Sequence, residues 1–240
     1  MDYTDNLISE VLIGEAKPAL GCTELSVIAL ASSLAFNAAE ENLDEELKTR
    51  SRIDAERAEE DIERIVVRMS ANVFKNAADA GVPGSKGDRG AHIASAMGVF
   101  GDPSYGLMIF ESVSEDCAEI ARKLMDRIEI WVKKTSDFSV VVEANAITKN
   151  REGYALITPT HTHVALVKSN GKTIYEARSK KDENFDEKCR KFRKLKVDDF
   201  LSYASNIPEE VRKLVEKGIE MNYLASEKVC RETYRDGSWL

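Results

Sequence analysis

The sequence predicts an α+β protein in which helices pack with a small, largely antiparallel sheet. Three observations carry that reading. Apolar runs with helical spacing open and close the chain, strand-like runs rich in Val, Ile, Ala and Thr fill residues 126–180, and Gly or Pro punctuates the passages between them.

Residues 4–15 and 23–40 read as helices. Pro18 and Gly21 break any helix arriving from the N-terminal side, and Thr23 is a good N-cap. Val27, Ile28, Leu30, Ala31, Leu34, Ala35 and Phe36 then make the second helix mostly buried. The stretch that follows, "EENLDEELKTRSRIDAERAEEDIER", is highly charged and reads as a solvated helix or an exposed excursion. "IERIVVRM", residues 62–69, is β-rich and enters a segment with Gly81, Pro83, Gly84, Gly87 and Gly90. That segment delivers the chain to the N-terminus of a helix in "AHIASAMGVF".

A helix is expected near 115–125, and then strands in "RIEIWVKK", "DFSVVVEANAITK", "GYALITPTHTHVALVKS" and "GKTIYEARS". Ser169, Asn170 and Gly171 supply a tight hairpin turn between the last two. A lysine-rich and acidic linker, "KKDENFDEKCRKFRK", leads to two helices, "KVDDFLSYASN" and "PEEVRKLVEKGIEMNYLASEKVCRETY". In the second, Val211, Leu214, Val215, Ile219 and Leu224 keep roughly helical spacing, and Pro208 with two glutamates suits the first turn. The expected regions are therefore 1–125, helical with the glycine-rich loop, 126–180, the small antiparallel sheet, and 195–240, a helical hairpin.

The 240 residues suffice for a sizeable core, and 43% hydrophobic with 32% charged residues is the composition of a soluble globular protein. A formal net charge of −8 argues against a general nucleic-acid or anionic-membrane surface. No apolar run approaches a bilayer span, and "MDYTDNLISEV" lacks the basic and apolar regions of a signal peptide, so a cytoplasmic protein is expected. The four cysteines, Cys22, Cys117, Cys189 and Cys230, are scattered without a C-x-x-C pair, which suits free thiols and matches no zinc or local cluster motif.

Cys22 sits at a predicted helix N-terminus, where free N–H groups and partial positive charge favour a thiolate. Glu24 in the first turn opposes that thiolate and offers a second proton-transfer group; packed inertly, Cys22 is a small buried hydrophobe instead. Gly81, Gly84, Gly87 and Gly90 let the backbone approach a small anion, with Lys75 and Asn76 as a cation and an amide for the same ligand. This spacing fits neither a P-loop nor a dinucleotide fingerprint, and the alternative is a flexible surface loop with Lys75 solvated. In "THTH", strand alternation puts His161 and His163 on one face, suited to joint metal ligation or a proton relay, or to one histidine hydrogen-bonded at a sheet surface. Asn222, within "IEMNYLA", reads either as a polar group pointing into a site or as a satisfied buried amide.

Taken in order, "EAKPALGCTEL", the Lys75–Asn76 pair leading through "GVPGSKGDRG" to an alanine-rich helix, "HTHV", and "GIEMNYLASEKV" resemble the L-cysteine desulfidase family, which is related to the iron–sulfur L-serine dehydratases. The family pattern near the start is E-V-x-P-A-L-G-C-T-E-P, from which Ala16 and Leu25 depart; His163 stands where an asparagine is usual. The resemblance covers the family's first half. It implies α,β-elimination of L-cysteine or L-serine to pyruvate and ammonia, with release of sulfide or water. Carried over by motif, Cys22 is the base, Glu24 an alternative base or its hydrogen-bond partner, and His161 a group that orients substrate or relays a proton. Thr23, Lys75, Asn76, Gly84, Gly87, Gly90 and Asn222 form the expected amino-acid-binding surface.

The resemblance also implies a four-iron four-sulfur cluster whose ligands lie outside this chain, and a C-terminal half or partner subunit to hold it. On that expectation the last helix carries an uncovered apolar stripe, and the chain binds that half or forms a homo-oligomer. A second reading, a cluster-free protein that binds a small amino acid or a partner without catalysis, draws on Leu25 and His163.

Overall fold

The computed structural model describes residues 3–134, 139–177 and 190–235, without the side chains of Tyr3 and 228–235. In chain order the elements are α1 (Tyr3–Glu15), α2 (Thr23–Ala39), α3 (Ala55–Asp61), β1 (Ile62–Ser70), α4 (Ala71–Ala77) and α5 (Ala91–Gly98). A 3-10 segment (Pro103–Ser112), α6 (Cys117–Leu124), β2 (Ile128–Lys133), β3 (Val142–Thr148), β4 (Glu152–Ile157), β5 (Val164–Ser169), β6 (Lys172–Glu176), α7 (Val197–Ser205) and α8 (Glu209–Arg235) follow. The greater part of the 180–194 linker, including Cys189, lies outside the described residues, as do 236–240.

The chain forms two compact units, Ala19–Arg178 and Met1–Pro18 with Ser179–Leu240. In the larger, six strands make an open mixed sheet in the order β2-β1-β3-β4-β5-β6. The β1–β2 pair is parallel and every other pairing is antiparallel. This is the expected α+β arrangement. A parallel pair needs a crossover, and here residues 71–127 supply it, carrying the glycine-rich loop. The sheet thus draws an internal strand, β1, from the region read as helical.

Helix α2 is apolar on every side, so it is buried on every side: each residue from Leu25 to Ala39 is inaccessible to solvent. It lies against β3, β4 and β5, with α5 and the 3-10 segment beside it. Burying side chains such as Leu25, Ile28 and Leu34 stabilises the fold by about 1.5–3 kcal/mol each. Glycine sets the closeness of this packing. A Cβ on Gly153 of β4 would stand 1.9 Å from the Ala35 carbonyl oxygen, and one on Gly98 of α5 would stand 2.3 Å from that of Ala29. The hairpin turn expected at 169–171 is present, with positive φ at both Asn170 and Gly171, as a tight turn matched to strand twist requires.

The charged 40–64 excursion resolves into a turn closed by a Leu43–Thr49 bridge and the short helix α3, capped by Asp54, whose side chain accepts from the Arg57 N–H. In the smaller unit, Ser9 and Tyr203 share a 2.8 Å hydrogen bond between α1 and α7. Along α8, Val211 is buried while Val215, Ile219 and Leu224 are exposed. Among the described residues no helix is long and apolar enough to cross a membrane.

Candidate functional site

The chain reaches α2 through Gly21, whose φ of +77° is costly for any residue with a Cβ and whose vacant Cβ position lies 3.0 Å from Pro83. The G-C-T-E and V-P-G segments therefore meet. Cys22, with extended backbone, occupies the N-cap position that the sequence assigns to Thr23, and its carbonyl accepts the first helical hydrogen bond from Ser26 N at 3.1 Å. Thr23 is already helical, and its hydroxyl donates to the Glu24 side chain.

Glu24 is the centre of the cluster. Its Oε2 accepts from Cys22 Sγ at 3.2 Å and from Thr23 Oγ1 at 3.1 Å, and its Oε1 accepts from Asn76 Nδ2 at 2.7 Å. His161 Nε2 stands 3.9 Å from Glu24 Oε1, shielded from solvent and without a hydrogen-bond partner. A buried, unpaired ring nitrogen costs free energy unless something meets it, and the adjoining carboxylate is too far to do so directly.

Burial raises the Glu24 pKa, but hydrogen bonds from Asn76, Cys22, its own backbone N–H and Thr23 outweigh it, and the net shift is downward. Cys22 moves the other way. Burial pushes its thiol up, the Glu24 carboxylate adds to that, and hydrogen bonds from the Leu25 and Glu24 backbone N–H groups only partly offset it. The resting pair is therefore a thiol donating to a carboxylate, not the thiolate that a helix N-terminus alone favours. The reasons are, first, burial of the sulfur and, second, the carboxylate two residues on, within hydrogen-bond reach of it. Such a pair moves a proton between sulfur and oxygen without rearrangement.

The glycine-rich loop is a built structure. Gly81 bridges Arg89, Val82 N donates to Asp88 O, and Gly90 N donates to Ala80 O. The fully buried Ser85 hydroxyl donates to Val82 O, and Arg122 of α6 clamps the loop through Asp88 Oδ2 and Ser85 O, both at 2.7 Å. Arg122 carries no local signal in the sequence, being 34 residues from Asp88. Gly90 is the N-cap of α5, as expected, and Gly84 and Gly87 are exposed on the loop.

Other expected site residues distribute unevenly. Asn76 joins the cluster through Glu24, whereas Lys75 beside it on α4 is an exposed cation. "THTH" is not strand: β4 ends at Ile157, and Thr158 N bonding to His163 O with His163 N bonding to Thr160 O make 158–163 a closed turn before β5. His161 and His163 consequently part company, His161 facing Glu24 and His163 exposed. Asn222 belongs to the smaller unit, exposed on α8 with its amide donating to Gly218 O at 2.7 Å. Among the described residues no three of His, Cys, Asp or Glu come together to hold a metal, and the described free cysteines, Cys22 and Cys117, are separate partly buried thiols. The described residues do not form a cluster site.

No family model matches the chain. It is similar to UPF0597 proteins: 28% identical over 230 residues to that of Clostridium botulinum (strain Hall), covering 93% of this chain and 49% of the relative. Similarity to the UPF0597 protein of Nitratidesulfovibrio vulgaris (strain Miyazaki F) is 29% over 224 residues, 92% of this chain and 46% of the relative. To that of Dichelobacter nodosus (strain VCS1703A) it is 30% over 224 residues, with the same coverage. The chain spans about half the length of the curated relatives it matches.

Proposed function

We propose that this chain is the substrate-binding, proton-transferring part of a carbon–sulfur or carbon–oxygen lyase similar to L-cysteine desulfidase and L-serine dehydratase. The observation that carries this reading is the cluster itself: a thiol, a carboxylate fixed by Asn76, and an unpartnered His161 nitrogen on one small surface. In the elimination, the α-proton of L-cysteine or L-serine passes to a base, the Cβ–S or Cβ–O bond breaks, and hydrosulfide or hydroxide leaves. The enamine left behind becomes an imine, which water hydrolyses to pyruvate and ammonia.

Glu24 Oε2 lies within reach to receive the Cys22 proton, and the resulting thiolate takes the α-proton. His161 Nε2 orients the substrate beside Glu24, and Lys75 on α4 attracts its carboxylate. No step of leaving-group expulsion is assigned to a described residue of this chain. The four-iron four-sulfur cluster implied by the resemblance would be held by residues other than those described, in the part of the longer relatives that this chain does not span. Exposed Val215, Ile219 and Leu224 on α8 are apolar surface that such a part would cover.

Two measurements test the reading. In the chain itself, L-serine or L-cysteine should perturb the His161 ring signals in a nuclear magnetic resonance titration, and Glu24→Gln should weaken that binding. Mixed anaerobically with a polypeptide corresponding to the relatives' remaining half, the chain should release pyruvate, and Cys22→Ser should abolish release while leaving the His161 perturbation in place. Binding without pyruvate from the mixture would favour the non-catalytic amino-acid binder, and neither amino acid touching His161 would overturn both.

A further inference from the structure

Helix α2 is apolar from Leu25 onward except for a few polar residues, and two of these, Ser33 and Asn37, are fully buried in its C-terminal half. Buried polar groups in such surroundings are costly unless each is satisfied, and these are satisfied in a particular way. Ser33 Oγ donates to Gly101 O at 2.6 Å, and Asn37 Nδ2 donates to Ser33 O at 2.9 Å. Asn37 Oδ1 accepts from Asn42 Nδ2 at 2.8 Å. Asn42 Nδ2 also donates to Ser51 O, while Asn42 Oδ1 accepts from both Ser51 N and Ser51 Oγ. The chain of bonds thus runs from the segment at 101 to the segment at 51 through the interior of the helix.

Both segments are walls of one open cavity of about 570 Å³, a volume typical of small-molecule sites. Asn42 O further accepts from Arg50 N, and on the other wall Asp102 N donates to Ser112 Oγ, so the backbone of each wall is held. Arg50 and Arg52 line the first wall, two residues apart on an exposed stretch; the Asp44 carboxylate feels the Arg50 charge, but neither arginine forms an ion pair within 4 Å among the described residues. The same cavity is lined by the aromatic rings of Phe100 and Tyr105 and by the carboxylates of Glu111 and of Asp102, whose Oδ1 accepts from Ser104 N.

The geometry points to a second binding site, for a small phosphate- or carboxylate-bearing molecule held by the Arg50 and Arg52 guanidinium groups. Arginine presents planar paired donors that match either oxyanion, and the network from buried Ser33 and Asn37 to half-buried Asn42 fixes the walls before the ligand arrives. The site is distinct from the cysteine cluster: Ser33 is roughly 14 Å along the helix axis from Glu24.

Isothermal titration of the 240-residue chain with inorganic phosphate and, separately, with succinate tests this and tells the two chemistries apart. At least one probe should bind saturably at one site per chain. Arg50→Ala and Arg52→Ala should each weaken it about tenfold or more, the scale of one lost charge-assisted interaction. Both arginines are exposed and form no close ion pair among the described residues, so these variants should melt close to the wild type. Asn42→Ala, which removes no charge, should also weaken binding by loosening the wall. Failure of both probes to saturate, or equal binding by the arginine variants, overturns the proposal. So does loss of binding in Lys75→Ala alone, which would place the anion at the glycine-rich loop.

Discussion

Replacing Asn76 by alanine removes the 2.7 Å donor to Glu24 Oε1 and leaves the carboxylate with the Cys22 thiol, the Thr23 hydroxyl and its own backbone N–H. A hydrogen bond to a charged group is worth about 1.5–3 kcal/mol when shielded from water. Asn76 is exposed, so solvent screens part of that, and a cost of about 1 kcal/mol at neutral pH is expected. For a unit of this size that is a fall of about 2–4 °C in melting temperature. The pH dependence has a definite sign. Because the net hydrogen bonding holds Glu24 below its ordinary 4.5, its contribution is present above pH 4.5 and is lost as the pH falls through the folded-state value. Urea unfolding of wild type and Asn76→Ala from pH 7 downward should therefore show a constant gap that narrows only below pH 4.5. In a Glu24→Gln background the same substitution should cost about half as much, since the acceptor is then neutral. A gap that ignores pH, or a full cost in the Glu24→Gln background, would refute the assignment of Asn76 to the Glu24 carboxylate.

Two further substitutions probe the sulfur and the helix packing. Glu24→Gln removes the charge that helps to hold Cys22 protonated, so the thiol pKa should fall and iodoacetamide should label Cys22 several-fold faster at pH 8, read by peptide mass spectrometry with Cys117 as internal reference. An unchanged labelling rate would mean that the carboxylate does not govern the thiol. Gly153→Ala drives a methyl group to 1.9 Å from Ala35 O and 2.6 Å from Ala39 N, a clash of backbone with backbone. It should cost about 3 kcal/mol or more in denaturant unfolding, whereas Gly81→Ala, with nothing within 4 Å, should stay within about 0.5 kcal/mol of wild type.

Local pattern made some elements readable and others not. Helix α2 is visible in sequence because a largely apolar run of that length, without a charged residue after Glu24, reads as a buried helix, and the Asn170–Gly171 turn because few residues accept positive φ in succession. Two members of the cluster, Cys22 and Glu24, sit within one turn and could be paired by spacing alone. Asn76 and His161 reach the same carboxylate from 52 residues away and from the β4–β5 turn, a convergence that only the fold creates. The alternation in "THTH" misleads because Pro159 and the turn's own backbone hydrogen bonds outweigh strand pairing there. The loop at 81–90 reads as flexible from its glycines, yet it is closed by its own backbone pairs and by an arginine supplied from α6.

The glycine contacts that seat α2 bear on how this protein moves. Where helix backbone rests on strand and helix backbone, there are no intervening side chains whose rotamers could absorb a displacement. Amide hydrogens from Val27 to Ala39 should accordingly exchange only when the whole larger unit opens, which makes them the slowest reporters in the molecule. The end of α2 that carries Cys22 is then a fixed post.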